Sequence, residues 1–316
     1  MADISNNGQR GHRANQLAPA PVIKGTPFPL TIALPGEASA LDFTVTRITH
    51  ACVLLRWGDC AILTDPWFSQ KPLYHHGESL PLSVDDLPTL SAVFSSMNHY
   101  DHFDIATFSG YRDLSVPLVT IKGSRQAAMA KGVGFTKVHE LAGWASLTIG
   151  DVTFHAIPAN RFASNTFRYE QAYVIQASGS TILFCAHYLK EHALAQVKAR
   201  FPKIDLALLG INGLRIKPLM GRQMSMDPVD AARLCAELRV PVCVPIHYAF
   251  NGGWFSSTFL LSHKGTPEQF SEAVRRVSSA TSVVTLSPGQ PLRLVSPVKL
   301  SAEVDLALHA AVTLIP

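Results

Sequence analysis

Residues 91–104, SAVFSSMNHYDHFD, carry the reading on which the fold turns. An apolar strand-like run, Ser91 to Phe94, leads within a few positions to His99, Asp101 and His102. Two imidazoles and a carboxylate this close together are costly beside an apolar strand unless a cation or solvent satisfies them. The position two before His99, where another histidine would make the cluster denser, holds Met97.

Other apolar runs end in the same manner. STILFCA, residues 180–186, stops at His187, and PVCVPI, residues 241–246, stops at His247. In sheets flanked by helices, ligands gather beyond the strand ends, so residues distant in sequence converge on one crevice. The runs FTVTRI, CVLLRW, CAILTD, PLVTI, LTIGDVTFHAI, QAYVIQA, DLALLGI and SVVTL also read as strands. Helices between them have recognisable starts: Asp227 caps a run with Pro228 at its first position, and Thr266 pairs with Gln269 in a capping box. Early strands followed by mixed strands and helices predict a layered α/β protein with its helices outside.

With 316 residues, 47% of them hydrophobic, the chain can bury a large core. Its formal net charge of +4 is spread without single-sign blocks, which excludes a general nucleic-acid-binding face. Five scattered cysteines without C-x-x-C spacing argue against a disulfide framework and against a cysteine zinc site, and fit a reducing, cytoplasmic setting. The polar N-terminal stretch reads as neither signal peptide nor anchor, and no apolar run is long enough to be a transmembrane segment. Residues 1–39 are expected to form a flexible or surface-draped extension, 40–293 the folded domain, and 294–316 a C-terminal extension. The sequence does not specify an oligomeric state.

Several segments in order, among them ITHACVLLRWGDCAILTDPWFS, LPTLSAVFSSMNHYDHFD, LTIGDVTFHAIPAN, QAYVIQASGSTILFCAHY and VPIHYAF, resemble the metallo-β-lactamase superfamily. The closer likeness is to the branch containing L-ascorbate 6-phosphate lactonase and N-acylphosphatidylethanolamine phospholipase D. The resemblance covers residues 40–293 and implies an αββα sandwich. It also implies a two-metal site built on His-x-His-x-Asp-His, from which this chain departs. Met97 stands for the first histidine, Asn160 for a later one, and His187 for the aspartate that bridges the two cations. A carboxylate can bridge two cations, whereas a neutral imidazole offers one lone pair. The expected site therefore holds one divalent ion, zinc or else iron, manganese or cobalt, between Asp101, His102, His187 and His247. His99 stands nearby as a general base or water-orienting group.

Trp67, Phe68, Phe162, Phe250 and Trp254 lie in loops after strands, and Arg215 and Lys217 in a basic loop. Together they suggest a small-molecule substrate with an apolar part, and an anionic one if Arg161 fills the vacated metal position. Three functions stay open at this point: a single-metal hydrolase of an ester, lactone, thioester or phosphodiester; a mononuclear iron enzyme doing oxidative chemistry; and an inactive binding protein on the same fold.

Overall fold

The computed structural model describes residues 30–34, 42–70, 75–159, 169–296 and 300–304. Asn160, Arg161 and Phe162 lie outside them. Two large sheets form the centre. The first, of eight strands, runs in the order Leu30–Ala33, Pro291–Val295, Asp42–Thr49, Cys52–Trp57, Cys60–Thr64, Ala92–Phe94, Leu118–Ile121 and Val138–Leu141. The second, of seven, runs Ser282–Val283, Val242–Ile246, Leu206–Gly210, Ser180–Cys185, Gln171–Ala177, Val152–Pro158 and Ser146–Ile149.

Three buried clusters show how the layers stack. Between the sheets, Val53, Leu55, Ile62 and Phe94 from the first meet Phe154, Tyr173, Phe184 and Leu208 from the second. Phe94 packs edge-on against Phe184 with ring centroids 5.1 Å apart. Behind the second sheet, Val174, Leu183, Leu209 and Cys243 pack on Ala193 and Val197 of the helix Glu191–Arg200, on Leu234 and Cys235 of Pro228–Leu238, and on Phe270 and Val274 of Pro267–Val277. Behind the first sheet, Leu54, Leu63 and Leu118 pack on Phe108 and on Ala130 of the helix Gln126–Val133. Each fully buried Leu, Ile or Phe contributes about 1.5–3 kcal/mol. The result is the expected αββα sandwich.

Local chemistry explains the elements. Asp227 accepts from Val229 N and Asp230 N, and Thr266 from Gln269 N, so both predicted caps form. The strands Gln171–Ala177 and Ser180–Cys185 join through Ser178 and Gly179, both at positive φ, as a two-residue hairpin turn requires. LTIGDVTFHAI, read as one strand, is instead a hairpin: Ile149 pairs with Val152 and Gly150 turns the chain at φ +56°. The apolar positions change phase there, from 147 and 149 to 152, 154 and 156, and the slip across Gly150 and Asp151 marks the turn. Leu30–Ala33 pairs in parallel with Pro291–Val295, so part of the stretch expected as an N-terminal extension is built into the first sheet. Arg293 holds both Asp42 and Glu303, which ties residues beyond 294 to the same edge. All five cysteines are free, four of them buried. Among the described residues no helix is long and apolar enough to cross a membrane.

Candidate metal centre

Six strands release polar residues at their C-terminal ends toward one crevice. Asp42–Thr49 ends at His50, Cys60–Thr64 at Asp65, Ala92–Phe94 at Ser95 and Ser96 before His99–His102, Ser180–Cys185 at His187, Leu206–Gly210 at Asn212, and Val242–Ile246 at His247. Close approach of the strands is obligatory here, because a Cβ on Gly210 would lie 1.8 Å from the carbonyl oxygen of Ala186. His50, Asp65 and His247 occupy the left-handed region at φ +41°, +37° and +60°. Such conformations cost free energy for residues with a side chain, and they cluster where function needs a side chain aimed. His50 and His247 are further locked together by His247 N donating to His50 O at 2.8 Å.

At the centre the Nε2 atoms of His102 and His247 face each other at 2.9 Å. Asp101 Oδ2 is 3.7 Å from His102 Nε2 and 3.3 Å from His50 Nε2. One ligand atom from each of His50, Asp101, His102 and His247 falls within 4.8 Å of the others, and all four residues are buried. His187 closes the opposite side, its ring 4.7 Å from that of His102 and 4.6 Å from that of His247. His99 bonds to Asp101 through Nδ1, leaving its ring partly exposed at the pocket edge.

Behind this set stands Asp65, fully buried. It accepts from Ser96 N, Ser96 Oγ and His102 Nδ1, each at 2.6 Å. The bond to His102 fixes the tautomer: the proton sits on Nδ1 and the Nε2 lone pair points into the centre. A carboxylate behind a histidine in this manner is the usual support of a metal-ligating imidazole.

Electrostatics agree with the geometry. Burial pushes His50 down to about 4, against the pull of Asp101. Burial and the neighbouring imidazoles hold His187 and His247 well below the ordinary histidine value, so both present lone pairs at neutral pH. Burial would lift Asp101, but His102, His99 and His50 outweigh it and keep the carboxylate well below its usual range. Burial likewise opposes a charge on His102, and Asp101 and Asp65 reverse that. His247 Nδ1 and His50 Nδ1 are buried without a hydrogen-bond partner, and His50 Nε2 has only the 3.3 Å approach of Asp101 Oδ2, an arrangement expensive in an apolar interior. Converging imidazole nitrogens around one ionised carboxylate fit a divalent cation.

The pocket above the centre has an apolar wall of Met97, Leu214, Ile216, Met224, Phe250 and Leu261. Glu170 also lines it, nine-tenths buried and pushed up to about 8 by that burial, partly offset by His102 and Lys190. Glu170 pairs across an antiparallel bridge with Met97. The flanking bonds, Gln171 N to Ser96 O and Asn98 N to Tyr169 O, make this the closely spaced kind of pair, so the two side chains leave the backbone side by side.

Of the sequence-predicted residues, His99, Asp101, His102, His187, His247 and Phe250 meet at this pocket. Trp67 and Phe68 do not. Trp67 is fully buried and donates to Ser69 O, backing the centre through ring contacts with His50 and His76. Phe68 packs against the cluster behind the first sheet. Arg215 lines a neighbouring groove with Asp227, Lys264 and Glu272, while Lys217 is fastened to the carbonyls of Ser257 and Thr258. Trp254 is 76% exposed. Sequence reasoning missed His50, Asp65 and Glu170. The strand-end rule that selects His187 and His247 also selects His50 after FTVTRIT and Asp65 after CAILT, whereas Glu170, at the start of a strand, gave no local signal.

The family described as "Beta-lactamase superfamily domain" matches residues 61–248. A protein from Pyrobaculum islandicum, described as a metal-dependent hydrolase, is 28% identical over 257 residues, covering 78% of this chain and 97% of its own. A crystal structure described as a possible metal-dependent hydrolase from Veillonella parvula superposes with a TM-score of 0.63 at 17% identity, covering 80% of this chain and 99% of its own. CmlA, a diiron β-hydroxylase from Streptomyces venezuelae, superposes with a TM-score of 0.58 at 12% identity; it covers 83% of this chain, which spans 55% of its length. The sheet order, the strand-end centre and the match across more than half of the sequence lead to one assignment: the chain belongs to the metallo-β-lactamase superfamily.

Proposed function

We propose that this chain is a metal-dependent hydrolase in which Asp101, His102 and His247 hold a single divalent cation, with His50 and His187 as flanking donors. The observation that carries the reading is the pair of Nε2 atoms facing each other at 2.9 Å beside Asp101, with His102 oriented from behind by Asp65. A divalent cation there supplies Lewis acidity, which makes water a nucleophile near neutral pH and polarises the oxygen of an acyl or phosphoryl group.

The residues of the chain supply everything else. Asp65 keeps the His102 proton on Nδ1. His99, bonded to Asp101 and partly exposed, orients the attacking water and takes its proton. Met97, Leu214, Ile216, Met224, Phe250 and Leu261 exclude water from one side of the reacting group and favour a small molecule with an apolar part. An ester, lactone, thioester or phosphodiester meets these demands. Arg161, outside the described residues, is the candidate partner for an anionic substrate. The free cysteines fit a reducing compartment such as the cytoplasm.

Elemental analysis of the purified protein, combined with turnover of p-nitrophenyl esters and bis(p-nitrophenyl) phosphate, tests the reading. One equivalent of metal, lost together with hydrolysis in His247→Ala and Asp101→Ala, is expected. His50→Ala and His187→Ala, compared for metal retention, identify the further donor. Two equivalents, no metal, or iron with oxygen uptake in place of hydrolysis would overturn it.

A further inference from the structure

The exposed apolar side chains of this protein are not scattered. Of ten large apolar residues exposed among the described residues, five lie on two neighbouring segments: Leu219 and Met220 at the end of a short helical turn, and Trp254, Phe255 and Phe259 on the helical stretch 253–260. Met220 is fully exposed and Trp254 76% exposed. These segments are built together. Arg215 and Ile216 pair antiparallel with Ser262 and Leu261, and Lys217 Nζ donates to the carbonyls of Ser257 and Thr258 at 2.6 and 2.8 Å. Phe259 packs against Trp254 and Phe255, with centroid separations of 5.8 and 5.4 Å. The aromatic cluster is therefore ordered from within while its outer face meets water.

Charge selects what that face fits. Residues 213–226 and 250–264 contain Arg215, Lys217, Arg222 and Lys264 and not one Asp or Glu. Lys217 donates to two backbone carbonyls, so its charge is held by neutral oxygens, while Arg215 donates to Gly221 O and Gln223 Oε1 and faces the groove that Asp227 and Glu272 also line. A second copy meeting this face with the same face would set cations against cations and pay for it electrostatically. An interface of anionic lipid headgroups accepts both features at once: Trp and Phe prefer the boundary between headgroups and acyl chains, and Lys and Arg are drawn to the lipid phosphates.

We propose that these two segments dock the protein on an anionic lipid surface, with Met220, Trp254, Phe255 and Phe259 inserted at headgroup depth and Lys217 against lipid phosphates. The inner sides of the same segments, Leu214, Ile216 and Leu261, line the pocket over the metal centre. Docking would thus turn the pocket mouth toward the bilayer. Combined with the hydrolase reading, on which this further step rests, it narrows the substrate class to amphiphiles that carry an acyl or aryl chain.

The test is flotation of the full chain with phosphatidylcholine vesicles, with and without phosphatidylglycerol. Binding is expected to the phosphatidylglycerol vesicles and to weaken when salt is raised to about 0.5 M, where the screening length is a few ångströms. Trp254→Ser/Phe255→Ser, checked by circular dichroism for an unchanged fold, is expected to lower partitioning about tenfold or more. A wild-type protein that stays in solution with both vesicles overturns the proposal, as does a double variant that floats like wild type. So does a wild-type dimer that the double variant converts to monomer, since the face would then be a self-association surface. None of these readouts involves metal content or turnover, so their failure is distinct from failure of the hydrolase assignment.

Discussion

Replacing Asp65 by Asn isolates the group that aims His102. The carboxylate accepts three hydrogen bonds at 2.6 Å, from Ser96 N, Ser96 Oγ and His102 Nδ1. An Asn at the same place has one acceptor. The Ser96 backbone N–H cannot turn away, so the amide oxygen takes the place of Oδ1 and the NH2 group that of Oδ2. There the Ser96 hydroxyl can rotate to accept, but an N–H on His102 Nδ1 would face another N–H. The way out is the other tautomer, which moves the proton to Nε2, the atom 2.9 Å from His247 Nε2. Loss of such a supporting carboxylate lowers cation affinity about 10–100-fold, or about 1.4–2.7 kcal/mol. Stability should not fall in parallel, because burial already disfavours a charge on Asp65 and pushes its carboxyl up. Competition against a chelator for Zn2+ or Mn2+ reads the affinity, nitrogen NMR of His102 the tautomer, and urea unfolding the stability. An Asp65→Asn protein that binds the cation within about twofold of wild type, or whose His102 keeps its proton on Nδ1, refutes the reasoning.

The metal-free protein should lose stability on acidification. His50, at about 4 in the fold and 6.5 when exposed, leaves the unfolded chain holding the extra proton between these values. Stability therefore falls as pH drops through that window, by about 3 kcal/mol for His50 alone. His187 and His247 act in the same direction, and His102, shifted upward, partly opposes them. Urea unfolding of the apoprotein at about pH 7 and pH 5 checks this; equal midpoints would contradict it. Glu170→Gln should stabilise the protein increasingly toward alkaline pH, because a carboxyl raised from 4.5 to about 8 withdraws stability as pH rises across that interval. The gain near pH 8 should reach about 3 kcal/mol or more and be small near pH 5. The same gain at both pH values would show that Glu170 is not the buried acid described here.

Much of the architecture was legible in the residues. CVLLRW and QAYVIQA became strands with the predicted bounds because their apolar side chains are continuous and end at turn-forming pairs. The Asp227 and Thr266 caps formed because their partners sit at fixed local offsets. The hairpin at Gly150 left a trace that the one-strand reading passed over, since the apolar positions change phase across Gly150 and Asp151, which one continuous strand does not do.

The candidate metal centre divides along the same line. Sequence alone determined that His99, Asp101, His102, His187 and His247 stand at strand ends, since a strand end is a local property of the apolar pattern. Only the tertiary structure decided that His50 joins them, that Asp65 stands behind His102, and that Trp67 supports the centre from within. Those relations join residues that are remote along the chain, such as His102 and His247. They depend on how the two sheets stack, on neighbouring strands of the second sheet running so close that Gly210 has no room for a Cβ beside Ala186, and on left-handed turns at His50, Asp65 and His247. Packing over such distances sets where a side chain points, and no local pattern of residues encodes it.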